Sequence, residues 1–183
     1  WVECPLAHPT FFLRTDVVEA VGGYQDHGWP EDYDLILRMH LAGHRLANVP
    51  AVLHQWREGT DRLSRTDHRY KPEAFLRCRV HYLCLGPLKD ARDVIVWGAG
   101  PVGKSFARAA QDFGIRVVAF VELDPRKIGQ EIHGAPVLGV TEALRIHGPL
   151  HAAAVGQYGA RARIEALLEE AGLVQGEDFV AVA

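Results

Sequence analysis

Three acidic residues occupy the first turn of a predicted helix, in the segment PEDYDL at positions 30–35. Acids at a helix start interact favourably with the helix dipole, so simple capping is one interpretation. Asp32 allows a second interpretation, because it shares a helix face with the apolar residues Leu35, Ile36 and Met39. A carboxylate at the head of a buried stripe is shielded from water, which makes it a better general base. Asp32 is therefore a candidate catalytic base.

Two further pairs on this helix have a spacing of four residues. Asp34 and Arg38 lie on another face, and we expect them to form a plain surface ion pair. His40 and His44 have the spacing of a metal-binding pair. No third ligand is evident and Gly43 ends the helix between them, so we expect ordinary histidines and assign no metal site.

A glycine-rich turn at positions 98–103, GAGPVG, follows a predicted strand and opens a predicted helix. This is the context that a G-x-G-x-x-G nucleotide-binding turn requires. The first glycine permits the tight turn, the second lets a phosphate approach, and the third lets helix and strand pack closely. Free N–H groups at the helix start would face the anion. The candidate ligand-binding residues are Gly98, Ala99, Gly100, Pro101, Val102 and Gly103.

Two other features belong to the same predicted site. Glu122 follows the next strand, where an acid hydrogen-bonds ribose hydroxyls in NAD-type sites. A second glycine turn, GQYG at 156–159, would border the same crevice if the strand order reverses there. The alternatives are a solvated loop acid, an ordinary strand-to-helix loop and an evolved, empty Rossmann scaffold.

The elements that position these residues come from a chain of ordinary globular composition. Its 183 residues are 48% hydrophobic and 23% charged, which excludes disordered, collagen-like and coiled-coil classes. The net charge is −3 without a basic stripe, so we expect no nucleic-acid binding. No apolar run approaches about 18 residues, so we expect no transmembrane segment. Three cysteines without CxxC spacing favour a reducing cytoplasm over a disulfide framework.

The composition changes at residues 86–92, GPLKDAR, which we interpret as a linker after a first domain over 1–88. In that domain the patterns predict a β-prone segment at 10–14, a helix capped by Asp16 and Glu19, a helix from Pro30 to Gly43, a strand over 45–52 and a helix from Pro72.

The second domain, 92–183, alternates strand and helix. Strands are predicted over 94–97, 117–121, 152–155 and 179–182, and helices over 102–113, 141–147 and 160–171. Such alternation predicts an α/β fold with a small Rossmann-like parallel sheet.

Four motifs follow one another in the first domain: HPTFFLR at 8–14, VGGY at 21–24, EDYDL with Arg38 at 31–38, and AGHRL at 42–46. Over residues 4–70 they resemble, in order and spacing, the C-terminal, acceptor-side half of a bacterial family 2 glycosyltransferase of GT-A fold. The resemblance implies inverting transfer of a sugar from a nucleotide-diphosphate donor to an acceptor hydroxyl. It gives Asp32 the role of deprotonating that hydroxyl, with Glu31 helping to orient the site.

The resemblance also implies a divalent metal, Mg or Mn, on a D-x-D motif that follows a buried strand. Residues 32–34 spell D-x-D but begin a helix, so we do not place the metal there. We expect the metal-binding half to precede Trp1 in a longer polypeptide, and these 183 residues alone to be inactive. Apolar surface that the preceding half would cover should then cause dimerisation or a rearranged core.

A long polar loop at 55–70 resembles the mobile C-terminal loop of the same family. Relatives often carry a metal- or diphosphate-binding His where this chain has Gly59. Arginines nearby are alternative diphosphate ligands, or simply a solvated basic surface. The aromatic residue at the loop start would wall a sugar site or belong to the core. The candidate substrate-binding residues are Trp56, Arg57, Arg62 and Arg65.

The second domain carries DPRKIG at 124–129 and IHGAPVLG at 132–139. Over residues 93–140 it resembles the N-terminal Rossmann domains of bacterial polysaccharide-biosynthesis proteins, including sugar epimerase/dehydratase relatives and sugar O-acyltransferases. The resemblance implies a nucleotide, nucleotide-sugar or CoA-like ligand. No Tyr-x-x-x-Lys pair follows, which argues against short-chain-dehydrogenase chemistry.

The sequence thus predicts part of a cytoplasmic glycosyltransferase of cell-surface polysaccharide biosynthesis, acting on a sugar or lipid-linked acceptor and carrying a C-terminal nucleotide-binding domain. The alternative is a non-catalytic Rossmann module that binds NAD, a nucleotide sugar or CoA.

Overall fold

The structure, a computed structural model, describes residues 1–2, 4–55, 57, 59, 62–90 and 92–183. The chain divides into two compact units. The N-terminal unit is Cys4–Tyr82, and the C-terminal unit is Leu83–Ala183 with the first residues of the chain. Within the described ranges, every helix is too short or too polar to cross a membrane.

The N-terminal unit consists of helices joined by irregular segments. The helices are α1 (Thr15–Ala20), α2 (Glu31–Leu41), α3 (Leu63–Thr66) and α4 (Pro72–Leu85), with 3₁₀ turns at His8–Thr10 and His68–Tyr70. The helices predicted from Pro30 and from Pro72 are confirmed. α2 ends because Gly43 adopts a φ of 80°, which a residue with a side chain rarely does.

α2 is the centre of this unit, because it is buried around most of its circumference. Its apolar stripe of Leu35, Ile36 and Met39 is almost completely buried. Side chains from the irregular segments and α1 pack on this stripe, among them Leu6, Phe11, Leu13, Val17 and Leu46. The first turn of α2, with its three acids, is therefore held in one place.

Three local predictions in this unit are wrong. Residues 45–52 and 10–14 form no strand, and the described residues of this unit contain no strand with which they could pair. A β-prone pattern cannot form a strand without a partner for its backbone N–H and C=O groups. α1 has no side-chain cap, because Asp16 lies inside the helix and bonds the exposed Arg14 instead.

Apolar side chains remain exposed in these irregular segments, as the sequence predicts. Phe12, Val49, Val52 and Leu53 are all largely exposed. Dimerisation through this surface stays a prediction. Light scattering during size-exclusion chromatography should show self-association that weakens when Phe12 is replaced by Asp, since a charge opposes burial of the surface. A monomer at all concentrations would contradict it.

The C-terminal unit contains one sheet. Its described strands are β1 (Asp93–Trp97), β2 (Arg116–Val121), β3 (Glu131–Ile132), β4 (Ala135–Leu138), β5 (Leu150–Ala153) and β6 (Phe179–Ala181). Their order is β3-β4-β2-β1-β5-β6, and every neighbouring pair is parallel except β3–β4. The helices are α5 (Pro101–Asp112), α6 (Val140–Ala143) and α7 (Ala160–Glu170). The predicted Rossmann-like parallel sheet is confirmed.

The antiparallel β3–β4 hairpin was missing from the sequence prediction. Its turn has positive φ at both central residues, 51° at His133 and 77° at Gly134. Two positive φ values are typical of the type I′ turn that joins two-residue hairpins. The His-Gly pair between two short apolar stretches is the signal that identifies this hairpin.

The core of the C-terminal unit lies between the sheet and its helices. Four consecutive residues of β1, 94–97, are buried, as expected for a central parallel strand covered on both faces. Leu168 of α7 and Phe179 of β6 pack with Ile95 and Trp97. This packing fixes the positions of the loops that follow β1 and β5.

One polar side chain lies within this core. The indole Nε1 of Trp97 donates a hydrogen bond to Nδ1 of His151 on β5 at 2.9 Å, and His151 is 3% exposed. Burial lowers the pKa of His151 to about 4, because the charged imidazole would be poorly solvated there, and Asp178 offsets only part of this. His151 is therefore neutral in the folded unit at neutral pH.

The stability of this unit should fall as the pH drops from about 6.5 to about 4, because unfolded His151 takes up a proton that the folded form resists. The loss attributable to this residue is about 3 kcal/mol. His151→Asn keeps an acceptor near the Nδ1 position but does not titrate, so urea unfolding of that variant should depend less on pH.

The matched control is the exposed His147, whose replacement by Asn should leave the pH dependence of unfolding as in the parent chain. Equal pH dependence of the His151 variant and the parent would contradict the prediction.

Candidate functional site

The three glycines of the turn after β1 have the backbone conformations and close contacts that the sequence predicts. Gly98 has a φ of 111°, and a Cβ there would lie 2.8 Å from the carbonyl oxygen of Ala154. A Cβ on Gly103 would lie 1.8 Å from the carbonyl oxygen of Gly98, so the helix packs directly on the turn. Gly100 begins α5 with an extended backbone, and its missing Cβ points into open space. An anion can approach this backbone closely.

The second glycine turn lies beside the first, because the strand order reverses next to β1. From β1 the chain passes to β2, which pairs with one edge of β1, whereas β5 pairs with the other edge. In this type of sheet, ligands bind at the carboxyl ends of the strands at such a reversal. The crevice found there, called here the glycine crevice, is lined by Trp97, Gly98, Glu122, Tyr158, Gly159 and Arg163, among others.

The other members of the predicted turn, Gly100 and Gly103 included, are absent from the lining of the crevice. Ala99 is buried, and Pro101 occupies the first turn of α5. Val102 packs against the second turn, where its Cγ2 is 3.2 Å from the place of a Cβ on Gly156. Their roles are structural in the absence of a ligand, and contact with a ligand stays a prediction.

Glu122 lies at the crevice with its carboxylate already partly bonded. It accepts hydrogen bonds from Lys127 Nζ at 2.8 Å and from the backbone N–H of Leu123 at 3.0 Å. Burial tends to raise the pKa of Glu122, but these bonds outweigh it and lower that pKa. The ionised carboxylate keeps further lone pairs that can accept ribose hydroxyls.

Tyr158, a member of the second glycine turn, lines the crevice, and so does Arg163, which the sequence reasoning missed. Tyr158 is fully exposed in the second turn, and Arg163 lies in the first turn of α7. An aromatic ring and a guanidinium are suited to a nucleobase and a phosphate, respectively. A basic residue in the first turn of a helix that follows a glycine turn is the signal that points to Arg163.

A second cleft lies at the start of α2 in the N-terminal unit. Its volume is about 450 Å³, and its lining includes His8, Asp32, Arg62, Ser64, Tyr70 and Phe75. The Asp32 side chain is 19% exposed. Its Oδ1 accepts the backbone N–H of Tyr33 at 2.7 Å, which holds the carboxylate in place. This α2 cleft offers a carboxylate base on the wall of a cavity large enough for a small molecule.

Glu31, the neighbouring acid, faces a different partner. The hydroxyl of Tyr70 lies 2.7 Å and 2.6 Å from its two carboxylate oxygens. Burial, followed by the hydrogen bond to Glu31, raises the pKa of Tyr70, so the phenol stays protonated and donates. Glu31 is absent from the residues that line the α2 cleft. Its carboxylate is engaged, which leaves Asp32 as the acid that faces the cavity.

The predicted ion pair of Asp34 and Arg38 forms, but its predicted place on the surface is wrong, because Asp34 is completely buried. Asp34 accepts hydrogen bonds from Trp29 Nε1 at 2.8 Å, from the Tyr82 hydroxyl at 2.6 Å and from Arg38 at 2.7 and 2.8 Å. Arg38 also donates to the carbonyl oxygens of Val21 and Gly23. This buried network connects α2 to α4 and to the segment before α2.

The loop residues predicted to bind substrate differ in whether they line the α2 cleft. Arg62 lines the α2 cleft, whereas Arg65 lies in α3 and Arg57 is exposed, both outside the lining of that cleft. Trp56 lies outside the described residues. Of the members of this set that the structure describes, Arg62 shares the lining of the α2 cleft with Asp32.

The described ranges contain no group of three or more His, Cys, Asp or Glu side chains that could hold a metal ion.

A family model described as "CoA binding domain" matches residues 89–172. Amylovoran biosynthesis glycosyltransferase AmsE from Erwinia amylovora is 41% identical over 61 residues, which are 33% of this chain and 23% of AmsE. This chain therefore matches less than a quarter of that relative.

Two solved structures of RSP, a Rex-family repressor, are similar in part. They share 16% sequence identity with this chain at TM-scores of 0.44 and 0.42, the second in complex with β-NADH. Each covers 56% of this chain, and the similar part is 57% and 59% of the RSP chain. In sequence, this chain is therefore similar in part to a glycosyltransferase. Its C-terminal unit has a Rossmann-type sheet and matches the CoA-binding family model.

Proposed function

We propose that this chain is the acceptor-side part of a family 2 glycosyltransferase, with Asp32 as the general base. The observation that carries the proposal is that the three acids in the first turn of α2 have different environments. Asp34 is buried in a network and Glu31 is bonded to Tyr70, while Asp32 lines the α2 cleft. The similarity to AmsE supports the glycosyltransferase part of the proposal.

In the proposed reaction, Asp32 takes the proton of the acceptor hydroxyl. The acceptor oxygen bonds to the anomeric carbon of the sugar as the bond from that carbon to the diphosphate breaks. The electron pair of the broken bond leaves with the nucleotide diphosphate, and attack from the opposite face inverts the anomeric centre. Arg62 on the cleft wall has the charge to attract the diphosphate.

The acceptor in this proposal is a sugar or a lipid-linked sugar of a bacterial cell-surface polysaccharide. The relative's name, which refers to the biosynthesis of amylovoran, supports that class. Tyr70 and Phe75 line the α2 cleft and provide aromatic faces for a sugar ring. Because nucleotide sugars are cytoplasmic metabolites, we place the reaction in the cytoplasm.

The test is a transfer assay with the complete natural polypeptide, radiolabelled nucleotide-diphosphate sugars and a panel of sugar and lipid-linked acceptors. Labelled product with inverted anomeric configuration supports the proposal. The proposal is contradicted if no donor is consumed under any condition while circular dichroism shows that the protein is folded.

A second function is favoured for the C-terminal unit: binding of a nucleotide-type ligand, with coenzyme A, NAD and nucleotide sugars as the candidates. The glycine crevice and the match to the CoA-binding family model support it. The ligand's phosphates would lie at the N-terminus of α5, and its ribose beside Glu122. This unit would act as a binding or regulatory module for the transferase.

Gly100→Val should weaken binding of that ligand at least about tenfold, because the new side chain occupies the space through which a phosphate approaches the backbone. The fold should tolerate it, since nothing lies within 4 Å of the added Cβ. Calorimetric titration of the parent chain and the variant with each candidate ligand measures the difference.

Gly139→Val is the matched control, because Gly139 also precedes a helix with an extended backbone (φ −76°, ψ 164°), but that helix is α6 and not α5, where the phosphates would lie. Its binding should equal that of the parent chain. If no candidate ligand binds the parent chain, the module is an empty scaffold and this second function is wrong.

A further inference from the structure

His8 lies beside Asp32 and Glu31 at the start of α2 and has no role in the reaction above. It lies in the 3₁₀ turn His8–Thr10 and lines the α2 cleft. Its Nδ1 is 3.7 Å from Oδ2 of Asp32 and 3.8 Å from Oε1 of Glu31. On its other side, Nε2 is 2.9 Å from the hydroxyl of Tyr24. The imidazole therefore stands between two carboxylates and one phenol.

These neighbours decide which nitrogen carries the proton. Two carboxylates next to Nδ1 attract a proton to that nitrogen, because the interaction of unlike charges is favourable at such distances. Burial, followed by the charges of Asp32 and Glu31, raises the pKa of Tyr24, so its phenol stays protonated. The phenol can therefore donate its O–H to Nε2. The partner of one ring nitrogen sets the tautomer that the other presents.

We propose that His8 is a positioning residue for Asp32, with its proton on Nδ1 directed at Oδ2 and with Nε2 accepting the hydroxyl of Tyr24. The Asp32 carboxylate would then be held at both oxygens, by the Tyr33 N–H at Oδ1 and by His8 at Oδ2. Its remaining lone pairs face the α2 cleft. This inference rests on the proposed glycosyltransferase function.

The distance of 3.7 Å is longer than a hydrogen bond, so a small approach of the two groups is required. Hydrogen bonds of catalytic groups are often long before substrate binds and shorten in the complex. The His8 side chain is 38% exposed and stacks near Phe11 and Tyr24, with ring centroids 5.0 and 5.4 Å away. The proposal requires a small movement of the imidazole that brings Nδ1 within hydrogen-bond distance of Oδ2.

The first test reads the tautomer directly. Two-bond ¹H–¹⁵N spectra at alkaline pH, where imidazoles are ordinarily neutral, should show His8 protonated on Nδ1, the less common tautomer of histidine in water. Asp32→Asn should shift the equilibrium toward Nε2–H. His68 is the matched control, since its Nδ1 also lies near a carboxylate, Asp67 at 3.3 Å, but it is absent from the cleft lining. Its tautomer should not respond.

The second test uses the complete natural polypeptide. His8→Ala should lower kcat about tenfold to a hundredfold, the cost of a misplaced catalytic group, with little change in the KM for the donor. His8→Asn, whose amide N–H replaces Nδ1–H, should recover most of the loss. His68→Ala should leave kcat unchanged.

The outcomes separate the two proposals. If Asp32→Asn abolishes transfer while His8→Ala has no effect, or if His8 is protonated on Nε2, the positioning role is wrong and the glycosyltransferase function stands. If transfer does not respond to Asp32→Asn, Asp32 is not the base and the positioning role of His8 falls with that assignment. The glycosyltransferase function itself is contradicted only if the complete polypeptide transfers no sugar.

Discussion

Asp32→Asn should lower sugar transfer by the complete polypeptide about 10²–10⁴-fold, the usual contribution of a general base. The amide has the size of the carboxylate and can still accept the Tyr33 N–H, so the start of α2 should keep its geometry. It cannot take a proton from the acceptor hydroxyl. The loss should therefore appear in kcat, measured at saturating donor and acceptor, while calorimetry shows donor binding of parent strength.

Two other acids provide the controls. Glu31→Gln should cost much less, because the Glu31 carboxylate is engaged by Tyr70 and does not line the α2 cleft. Asp16→Asn should have no effect, because Asp16 is exposed on α1 and its carboxylate pairs with the exposed Arg14. Parent-level transfer by the Asp32 variant would remove Asp32 from the reaction. A larger loss for Glu31→Gln than for Asp32→Asn would reassign the base.

The C-terminal unit shows how far a local pattern can carry a prediction. A continuous apolar run such as 94–97 specifies a central strand of a parallel sheet, because both faces of that strand are covered. The roles of Gly98 and Gly103 follow from backbone geometry alone, and the structure shows the close contacts that require them. The crevice residue Arg163 was missed because its place depends on strand order, which the sequence pattern specifies only in part.

The N-terminal unit shows where local patterns fail. Residues 45–52 have the composition of a strand, but pairing depends on a partner that no pattern within the segment can supply. The burial of Asp34 depends on Tyr82, 48 positions away in the sequence, and on Trp29. His8 and Tyr70 meet the first turn of α2 only through the packing of irregular segments on that helix. Tertiary contacts, not spacing, assemble this cleft.

Asp34→Ala should lower the free energy of unfolding by about 3–5 kcal/mol, the usual cost of removing one partner from a buried ion pair. The variant leaves the guanidinium of Arg38, whose side chain is 13% exposed, without its counter-charge. It also leaves the Trp29 indole N–H and the Tyr82 hydroxyl without their acceptor. Urea unfolding followed by circular dichroism measures the loss.

Asp16→Ala is the matched control, because the Arg14–Asp16 pair has the same N–O distance of 2.7 Å as the Asp34–Arg38 pair but is solvent-exposed. Its removal should leave the unfolding transition nearly unchanged, since water and ions screen exposed pairs. Equal effects of the two variants would show that the Asp34 network is not a major source of stability. A large difference would identify this network as what holds the start of α2, and with it Asp32, in the geometry that a base requires.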